Sequence, residues 1–587
     1  MMLRSEGTSD DIVSNGLGSW NGTNILTLKW RQCDADETET ITLTLAASDP
    51  APSAPTLQAL VISNTAIEIK WTTGFYDKDY IVERSPNGTT GFVQIGTNVS
   101  YPSNSLIDNG PFVDGTTYYY RVTARNGNVS PLTATSSNAS LVFKAPNFIV
   151  SNTEVSNFVA TTVGTYWADF DNDGDDDLFT LDADLSGQAL ASATAFKNLG
   201  TGDFQKITLA LDPEKYIFGS VADFNNDGFT DLGLAIDEGN GIDLYLGVGD
   251  FTFTKMTTSQ KGDLGTLAES IQSTSWADIN KDGRLDLFLL SENVILLYKQ
   301  NSDGTFTSIP GGDFATYVPD NLSAQWADYN NDGNIDVILS GDQITLFKNN
   351  GNETFTIQAS TGITATGAFS IAWGDYTNDG WLDLFIGVFA APGAELYKNN
   401  GDGTFTKNVS TSVTESGFVI GGTWGDFNND GWLDLIAPGY FGSLTRLYIN
   451  TSTVSTTSFN RIVTEKINDV KAYHIGAGAA DYDNNGFLDV SMASLIANSS
   501  SDNDLSPLNF YLYKNNNSTG NWSRVRLQGT VSNKGAVGAR LVMSAGGKTY
   551  TRDISAPATI ASQNSAFAHF GLGATSSITS LTIYWPN

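Results

Sequence analysis

The sequence is poor in cysteine, histidine and cationic side chains. Its 587 residues include one cysteine, Cys33, and two histidines, and 31 Lys and Arg stand against 64 Asp and Glu, which gives a formal net charge of −33. A single cysteine excludes an intramolecular disulfide. The negative charge argues against nucleic acid and anionic membranes as partners, because both need clustered Lys and Arg. Bound cations are the natural alternative.

Long hydrophobic runs are also missing. No run of about 18 apolar residues occurs, so no membrane span is predicted. The first residues, Met1 to Gly7, contain no apolar signal core, and a secreted form would therefore be a mature or trimmed chain. An extracellular or cell-surface location in a prokaryote fits the single cysteine, because secreted eukaryotic proteins of this size usually contain several.

The residues that are abundant favour an all-β protein. Hydrophobic residues make up 40% of the chain, which is enough for packed cores, and there are 58 glycines. Serine, threonine and asparagine are also plentiful. This mixture predicts short strands joined by many turns rather than helices.

An acidic segment recurs along the chain with a spacing of about 50 residues. Apolar runs that read as strands flank each copy, and a further strand and hairpin follow most copies, the fullest spanning Leu396 to Phe405. Four short strands at this period predict one blade of a β-propeller, so the sequence predicts a seven-bladed β-propeller. An open β-solenoid is the alternative, although solenoid coils usually have shorter periods. The copies begin at Asp169, Asp223, Asp278, Asp328, Asp375, Asp426 and Asp481.

Each acidic segment, here called a loop and numbered from its first Asp as position 1, has the residue types of a calcium site. Position 3 is Asp171, Asn225, Asn280, Asn330, Thr377, Asn428 and Asp483. Position 5 is Asp173, Asp227, Asp282, Asp332, Asp379, Asp430 and Asn485. Position 6 is glycine in all copies. Position 9 is Asp177, Asp231, Asp286, Asp336, Asp383, Asp434 and Asp489.

Alternate side chains at positions 1, 3 and 5 converge on one point if the chain curls, and the glycine permits that turn. Position 9 is predicted to close the shell. Position 7 varies and is predicted to offer its backbone carbonyl. Roughly six hard oxygen ligands suit Ca²⁺ better than Zn²⁺, Cu²⁺ or Mg²⁺, so up to seven structural calcium ions are predicted. The position 7 residues are Asp175, Phe229, Arg284, Asn334, Trp381, Trp432 and Phe487.

Two other interpretations of the loops fit the sequence less well. An EF-hand needs a Glu at position 12, where the first copy has Thr180 and the third has Leu289, and it needs flanking helices. Turn preference alone explains one Asp/Asn/Gly segment. It does not explain the same glycine and the same closing Asp in seven copies.

The loops and hairpins together resemble the FG-GAP (VCBS-type) repeats of integrin α-chain propellers and bacterial surface proteins. The resemblance covers roughly residues 146–520. It implies a seven-bladed propeller with calcium in the blade loops. The chain contains no Arg-Gly-Asp tripeptide.

Smaller modules are predicted on both sides of the repeats. Residues 51–145, with Trp71 and Tyr118 as core residues, resemble a fibronectin type III β-sandwich. Residues 521–587, which include Arg540, Arg552 and His569, resemble the ASPIC/UnbV domain of the cartilage acidic protein family, here expected to be a small β domain. Residues 1–50 read as two strands, either part of a truncated domain or strands that pair with a sheet edge in the same or a neighbouring chain.

The composition favours binding over catalysis. With two histidines, one cysteine and no Gly-x-Ser-x-Gly motif, an enzyme is not predicted. The main hypothesis is an extracellular, calcium-stabilised adhesion protein that binds a protein or glycan. Alternatives are a structural subunit of a surface filament, built from copies of the chain, and a lectin or propeller-based sugar-cleaving enzyme. Sequons that would permit glycosylation begin at Asn21, Asn87, Asn321 and Asn408.

Overall fold

The architecture is described from a computed structural model. The described residues are 18–20, 25–31, 38–44, 51–63, 66–74, 77–112, 116–127, 131–143, 148–151, 153, 155, 162–182, 192–212, 214, 216–236, 241–291, 294–389, 393–409, 413, 417–440, 443–452, 456–462, 467, 473–495, 510–517, 520–555 and 561–586. They divide into two compact units, one of Met1–Ala59 with Ile67–Phe143 and the other of Leu60–Ala66 with Lys144–Asn587. No helix among them has the length and apolar character needed to cross a membrane.

The N-terminal strands form three antiparallel sheets. β1, β2 and β3 pair with one another, β4, β5 and β9 form a second sheet, and β6, β7, β8, β10, β11 and β12 form a third. Their bounds are β1 Gly18–Trp20, β2 Ile25–Arg31, β3 Thr38–Thr44, β4 Leu57–Ser63, β5 Ala66–Trp71, β6 Asp79–Ser85, β7 Val93–Gln94, β8 Val99–Ser100, β9 Ser105–Asp108, β10 Thr116–Arg125, β11 Thr133–Thr135 and β12 Ala139–Phe143.

Alternation along these strands produces the core of the predicted sandwich. Every second residue of β10 is buried from Tyr118 to Ala124, as expected for a strand with one face on a core. Trp71 and Tyr118 are both buried, in keeping with their predicted packing role. In residues 1–50 the structure adds β1 to the two predicted strands. Within the described part of the chain no other strand pairs with them, and pairing with a neighbouring copy stays a prediction.

In the described residues the repeats form seven antiparallel sheets of four strands, the first of which gains a fifth strand from the tail. The seventh is completed by β13, which precedes the first. Two short strands, Phe418–Val419 and Gly439–Tyr440, pair with each other in a separate sheet. The strands are β13 Phe148–Val150, β14 Thr162–Ala168, β15 Asp177–Asp182, β16 Ser192–Asn198, β17 Phe204–Thr208, β18 Tyr216–Ala222, β19 Asp231–Ile236, β20 Ile242–Gly247, β21 Phe253–Lys255, β22 Ile271–Ala277, β23 Asp286–Ser291, β24 Ile295–Gln300, β25 Phe306–Ile309, β26 Asn321–Ala327, β27 Asp336–Gly341, β28 Thr345–Asn349, β29 Phe355–Ile357, β30 Ala368–Gly374, β31 Asp383–Val388, β32 Ala394–Asn399, β33 Phe405–Asn408, β34 Phe418–Val419, β35 Thr423–Gly425, β36 Asp434–Ala437, β37 Gly439–Tyr440, β38 Arg446–Asn450, β39 Phe459–Ile462, β40 Tyr473–Ala480, β41 Asp489–Leu495 and β42 Tyr511–Asn515.

The first strands of successive sheets contact one another in a closed ring. β14 contacts β18, β18 contacts β22, and the series continues through β26, β30, β35 and β40 back to β14. Short helical turns occur between some sheets: α1 Thr258–Lys261 and two 3₁₀ turns, Asp263–Thr266 and Asp313–Ala315. The all-β prediction is confirmed, and the ring of sheets is consistent with a β-propeller.

Large apolar side chains of neighbouring sheets interlock at each junction. Phe224, at position 2 of the second loop, stacks on Trp276 of the third sheet with ring centroids 4.6 Å apart. Tyr376 stacks in the same way on Trp424 of the next sheet at 5.6 Å. All four rings are buried. Position 2 is aromatic in every loop except the third, which has Ile279. In the two junctions above it fixes the loop to the next sheet through aromatic packing, since offset stacks add to the hydrophobic gain.

The tail is a small β domain placed against the repeats. β44, β45 and β48 form one sheet and β43 pairs with β47, while β46 adds to the first repeat sheet as a parallel partner of β14. Their core includes Leu541, Met543 and Phe570, all fully buried. The bounds are β43 Asn521–Val525, β44 Arg540–Ala545, β45 Lys548–Asp553, β46 Ser562–Gln563, β47 Ala568–Gly573 and β48 Ile578–Tyr584.

Candidate metal loops

The seven loops share one backbone conformation. Each follows the first strand of its sheet, and the second strand starts at position 9. The position 6 glycine has φ between 81° and 101° in all copies, a region that strains other residues. Its N–H donates to Oδ2 of the position 1 Asp over 2.8–3.1 Å in every loop. The predicted tight turn is therefore present in each loop.

Position 9 connects each loop to the third strand of its sheet. One oxygen of this carboxylate accepts the N–H of the last residue of that strand, over 2.6–2.9 Å in all seven sheets. The Asp residues at this position are all buried. Burial raises the pKa of Asp177, Asp231, Asp286 and Asp336 to about 8, and holds the pKa of the other three well above the usual range.

Carboxylates converge most closely in the first and seventh loops. In the first, oxygens of Asp169, Asp171 and Asp177 lie within 4.8 Å of one another. In the seventh, the same holds for positions 1, 3 and 9. Because like charges so close are costly without a cation, both loops are suited to a metal ion.

Among the described residues, three buried oxygens at predicted ligand positions have neither a hydrogen-bond nor an ion-pair partner. They are Asp336 Oδ2 at position 9, Thr377 Oγ1 at position 3 and Asp481 Oδ1 at position 1. A buried oxygen without a donor is unfavourable, and a bound cation would satisfy it. The donor set is made of hard oxygens throughout, so the residues present fit Ca²⁺.

Lysines of the third strands form ion pairs with loop carboxylates at positions 3 and 5. Lys348 lies 3.0 Å from Asp332 at position 5, and Lys398 lies 3.0 Å from Asp379. Lys514 contacts Asp483 over 2.5 Å, and Lys197 contacts Asp171. In the third loop Arg284 pairs with Asp282. Charges on the protein can therefore neutralise part of the first, third, fourth, fifth and seventh loops. The sequence predicts the strand and hairpin that carry these lysines but not their ion pairs.

Position 4 joins neighbouring loops, and the pattern of ligand positions in the sequence does not include it. It has φ between 52° and 62° in every loop and is asparagine in all copies except Lys281. Its side-chain amide donates to the carbonyl of the position 6 glycine in the next loop in five cases, over 2.7–3.2 Å. Asn484 instead donates to Asp175 of the first loop at 2.7 Å. These bonds tie neighbouring loops together. The recurrence of asparagine, which tolerates positive φ, is the feature of the sequence that indicates a special backbone conformation at position 4.

The tail covers this loop surface. Arg526 lies 2.5 Å from Asp169 Oδ2, and Arg540 donates to the carbonyl of Asp328 at 2.8 Å. His569 is 2.7 Å from the side chain of Asn429. A cleft of about 490 Å³ remains between the tail and the first two loops. The predicted tail residues Arg540 and His569 thus contact the loops, which sequence alone did not indicate, whereas Arg552 bonds to carbonyls of the tail itself.

Two family models match the chain. The FG-GAP-like repeat matches residues 223–289, 278–339, 328–386 and 388–437, and the ASPIC and UnbV model matches residues 529–587. The chain therefore contains FG-GAP-like repeats, which include the second to sixth loops, and an ASPIC/UnbV domain. A search of curated proteins finds no match.

Several solved structures share local similarity. An Fn3-like protein from Clostridium thermocellum is 27% identical, over 16% of this chain and 93% of its own, with a TM-score of 0.14. A protein from Lactobacillus plantarum is 12% identical, over 67% of this chain and 98% of its own, with a TM-score of 0.35. The Tc holotoxin pore of Photorhabdus luminescens is 12% identical, over 80% of this chain and 25% of its own, with a TM-score of 0.29.

Proposed function

We propose that this chain is an extracellular binding protein of the adhesion type, stabilised by calcium in the acidic loops of its repeats. The observation that carries the proposal is the shared loop geometry, with a buried Asp at position 9 and unpartnered buried oxygens at three ligand positions. FG-GAP-like repeats in adhesion-type extracellular proteins support the same function. The partner would be a protein or a glycan.

Positions 1, 3, 5 and 9 and the position 7 carbonyl would hold the ions. Bound calcium would supply positive charge where burial and neighbouring carboxylates disfavour ionised Asp. The residues themselves do the rest: the glycine shapes the turn, and position 9 keeps the loop joined to the third strand. Removing the ions would leave carboxylates repelling one another, which would weaken the junctions between sheets.

Binding is proposed in preference to catalysis because both histidines are enclosed. His474 and His569 are buried, and desolvation lowers the pKa of the first to about 4 and of the second to about 3. Neither is poised to exchange protons near neutral pH. Cys33 lies outside the described residues.

The test is calcium removal from the full chain, followed by differential scanning calorimetry. Chelation is expected to lower the melting temperature of the repeat unit and leave the transition of the N-terminal unit in place. Asp379→Asn, in the fifth loop, should reduce the calcium stoichiometry by one ion. Asp402→Asn is the matched control, because Asp402 caps an exposed hairpin turn of the same sheet. An unchanged repeat transition in excess chelator would refute the proposal.

A further inference from the structure

Two arginines of the tail pair with carboxylates of the first loop, one of them at position 1. Arg526 pairs with Asp169 at 2.5 Å, and this carboxylate oxygen also accepts the N–H of Gly174 at 3.1 Å. Arg524 pairs with Asp176 at 2.7 Å and lies 2.5 Å from the side chain of Asn484 in the seventh loop. The first and seventh loops are the two whose carboxylates converge most closely. Tail cations therefore sit on the strongest candidate metal loops.

Other tail cations continue this pattern around the ring. Lys534 lies at the second loop, where its backbone N–H donates to Asn226 at 2.8 Å and its side chain lines the cleft beside Asp223. Arg540 reaches the fourth loop by donating to the backbone carbonyl of Asp328. A second cavity, of about 140 Å³, places Arg552 together with the position 1 carboxylates of the fifth, sixth and seventh loops.

The third loop is the exception. Among the described residues, no tail side chain forms an ion pair or hydrogen bond with it. Its acidic position 5 is instead paired with Arg284 of the same loop. Its position 4 is Lys281, where the other copies have asparagine. The third loop, which no tail cation contacts, thus has cations of its own.

We propose that the tail domain is a cationic cap that competes with calcium for the position 1 carboxylates. The proposal rests on the calcium function put forward above. A calcium ion and a guanidinium that share one carboxylate repel each other, so each weakens the binding of the other. Linkage makes the effect reciprocal: tail docking lowers calcium affinity, and calcium loosens the cap. The cap is held in place independently by β46, whose Gln563 bonds to Val221 on the ring axis.

Calcium titration of the full-length protein tests whether the docked tail lowers the affinity for calcium. Arg526→Gln is expected to raise the calcium affinity of one site about fivefold or more at constant ionic strength. Lys206→Gln is the matched control, since it removes one positive charge from an exposed position on β17 of the same sheet. An unchanged or weaker affinity in Arg526→Gln, with calcium still bound, would overturn the cap proposal alone. Absence of calcium binding to the unmodified protein would overturn both proposals.

Hydrogen exchange tests whether calcium loosens the cap. It uses the unmodified protein, so the result does not depend on whether a variant folds. Adding calcium is expected to speed amide exchange in β43, which carries Arg524, because calcium weakens the contacts of the cap. Exchange in β10 of the N-terminal unit is the internal reference and should not change. Slower exchange in β43 with calcium would mean that calcium and cap cooperate, and would overturn the proposal.

Discussion

At the scale of single residues, the position 4 asparagine combines two tasks. Asn429 adopts φ 57°, which asparagine tolerates better than most residues, and its amide donates to Gly486 of the next loop at 2.8 Å. Its side-chain oxygen is also 2.7 Å from His569 of the tail. One side chain therefore joins two loops and the tail.

Replacing this residue by glycine keeps the backbone conformation and removes both contacts. Asn429→Gly is expected to lower the free energy of unfolding of the repeat unit by about 1–3 kcal/mol, because buried partners lose their bonds. Asn172→Gly is the control: the same position in the first loop makes one bond, at an exposed site, and should cost about 1 kcal/mol or less. Urea unfolding in calcium measures both. Equal losses would contradict the assigned role of Asn429.

A second prediction at the scale of residues concerns the stability of the folded protein at acidic pH. The pKa of His474 is lowered by burial from 6.5 to about 4, so the folded protein resists a proton that the unfolded chain accepts. Stability from the neutral ring is therefore complete above pH 6.5 and lost as the pH falls toward 4. His474→Gln should be less sensitive than the unmodified protein across this window, by up to about 3 kcal/mol. Urea midpoints at pH 7 and pH 4.5 provide the test, and parallel losses in both proteins would rule it out.

At the scale of strands, the third strand ends on a polar residue that bridges two sheets in every repeat sheet except the second. Asn399, at the end of β32, donates through its amide to Tyr329 of the previous sheet at 2.9 Å and to Leu382 at 3.0 Å. Equivalent bonds are made by Asn349, Asn450 and Asn515. The second sheet has Gly247 here, where an added Cβ would lie 2.2 Å from the carbonyl oxygen of Thr230.

Replacing Asn399 should lower the free energy of unfolding much more than replacing its neighbour Asn400. Asn399→Ala leaves two buried carbonyls without a donor and is expected to cost about 2–4 kcal/mol of unfolding free energy. Asn400→Ala is the matched control, because Asn400 is exposed and bonds within its own turn; a change within about 0.5 kcal/mol is expected. Chemical denaturation of the two variants decides the matter, and similar costs would show that the bridge contributes little.

The sequence contained enough information for these strands and loops but not for their partners. Asp177 and Gly174 recur in every copy, so the turn and the closing carboxylate could be predicted from one pattern. The partner of Asn172 is Gly228 in the next repeat, and the partner of Lys197 is Asp171 in the loop between the first two strands. Periodicity gives the position of a residue within a repeat, whereas such contacts depend on how strands and sheets are packed together.

At the scale of the whole molecule, two long-range pairings close the structure. β13 joins β42 and so completes the seventh sheet with a strand from before the first. β46 of the tail adds to β14 near the ring axis. The sequence resemblance implied the ring and the tail separately. It could not predict that the tail covers the loops, because Arg526 and Asp169 are 357 positions apart.

The closure by β13 can be tested at Ser151. Its N–H donates to Leu512 at 2.8 Å, and its hydroxyl is 2.9 Å from that of Tyr482. Ser151→Pro removes the backbone donor and is expected to destabilise the repeat unit by about 3 kcal/mol. It should also speed proteolytic cleavage in the seventh sheet. Ser151→Ala keeps the donor and should have a smaller effect. Equal protease resistance in Ser151→Pro and the unmodified protein would argue against closure by β13.

The pairing of β13 with β42 also means that the seventh sheet cannot be completed until β42 has been synthesised. Roughly 360 residues separate the two strands, and at about 5–20 residues per second a ribosome takes about 20–70 s to make them. During that interval the nascent chain has no closing partner, and the strand edges of its first and latest sheets are available to other chains. Late synthesis of β42 thus makes the newborn protein, rather than the finished one, the form most in need of a chaperone.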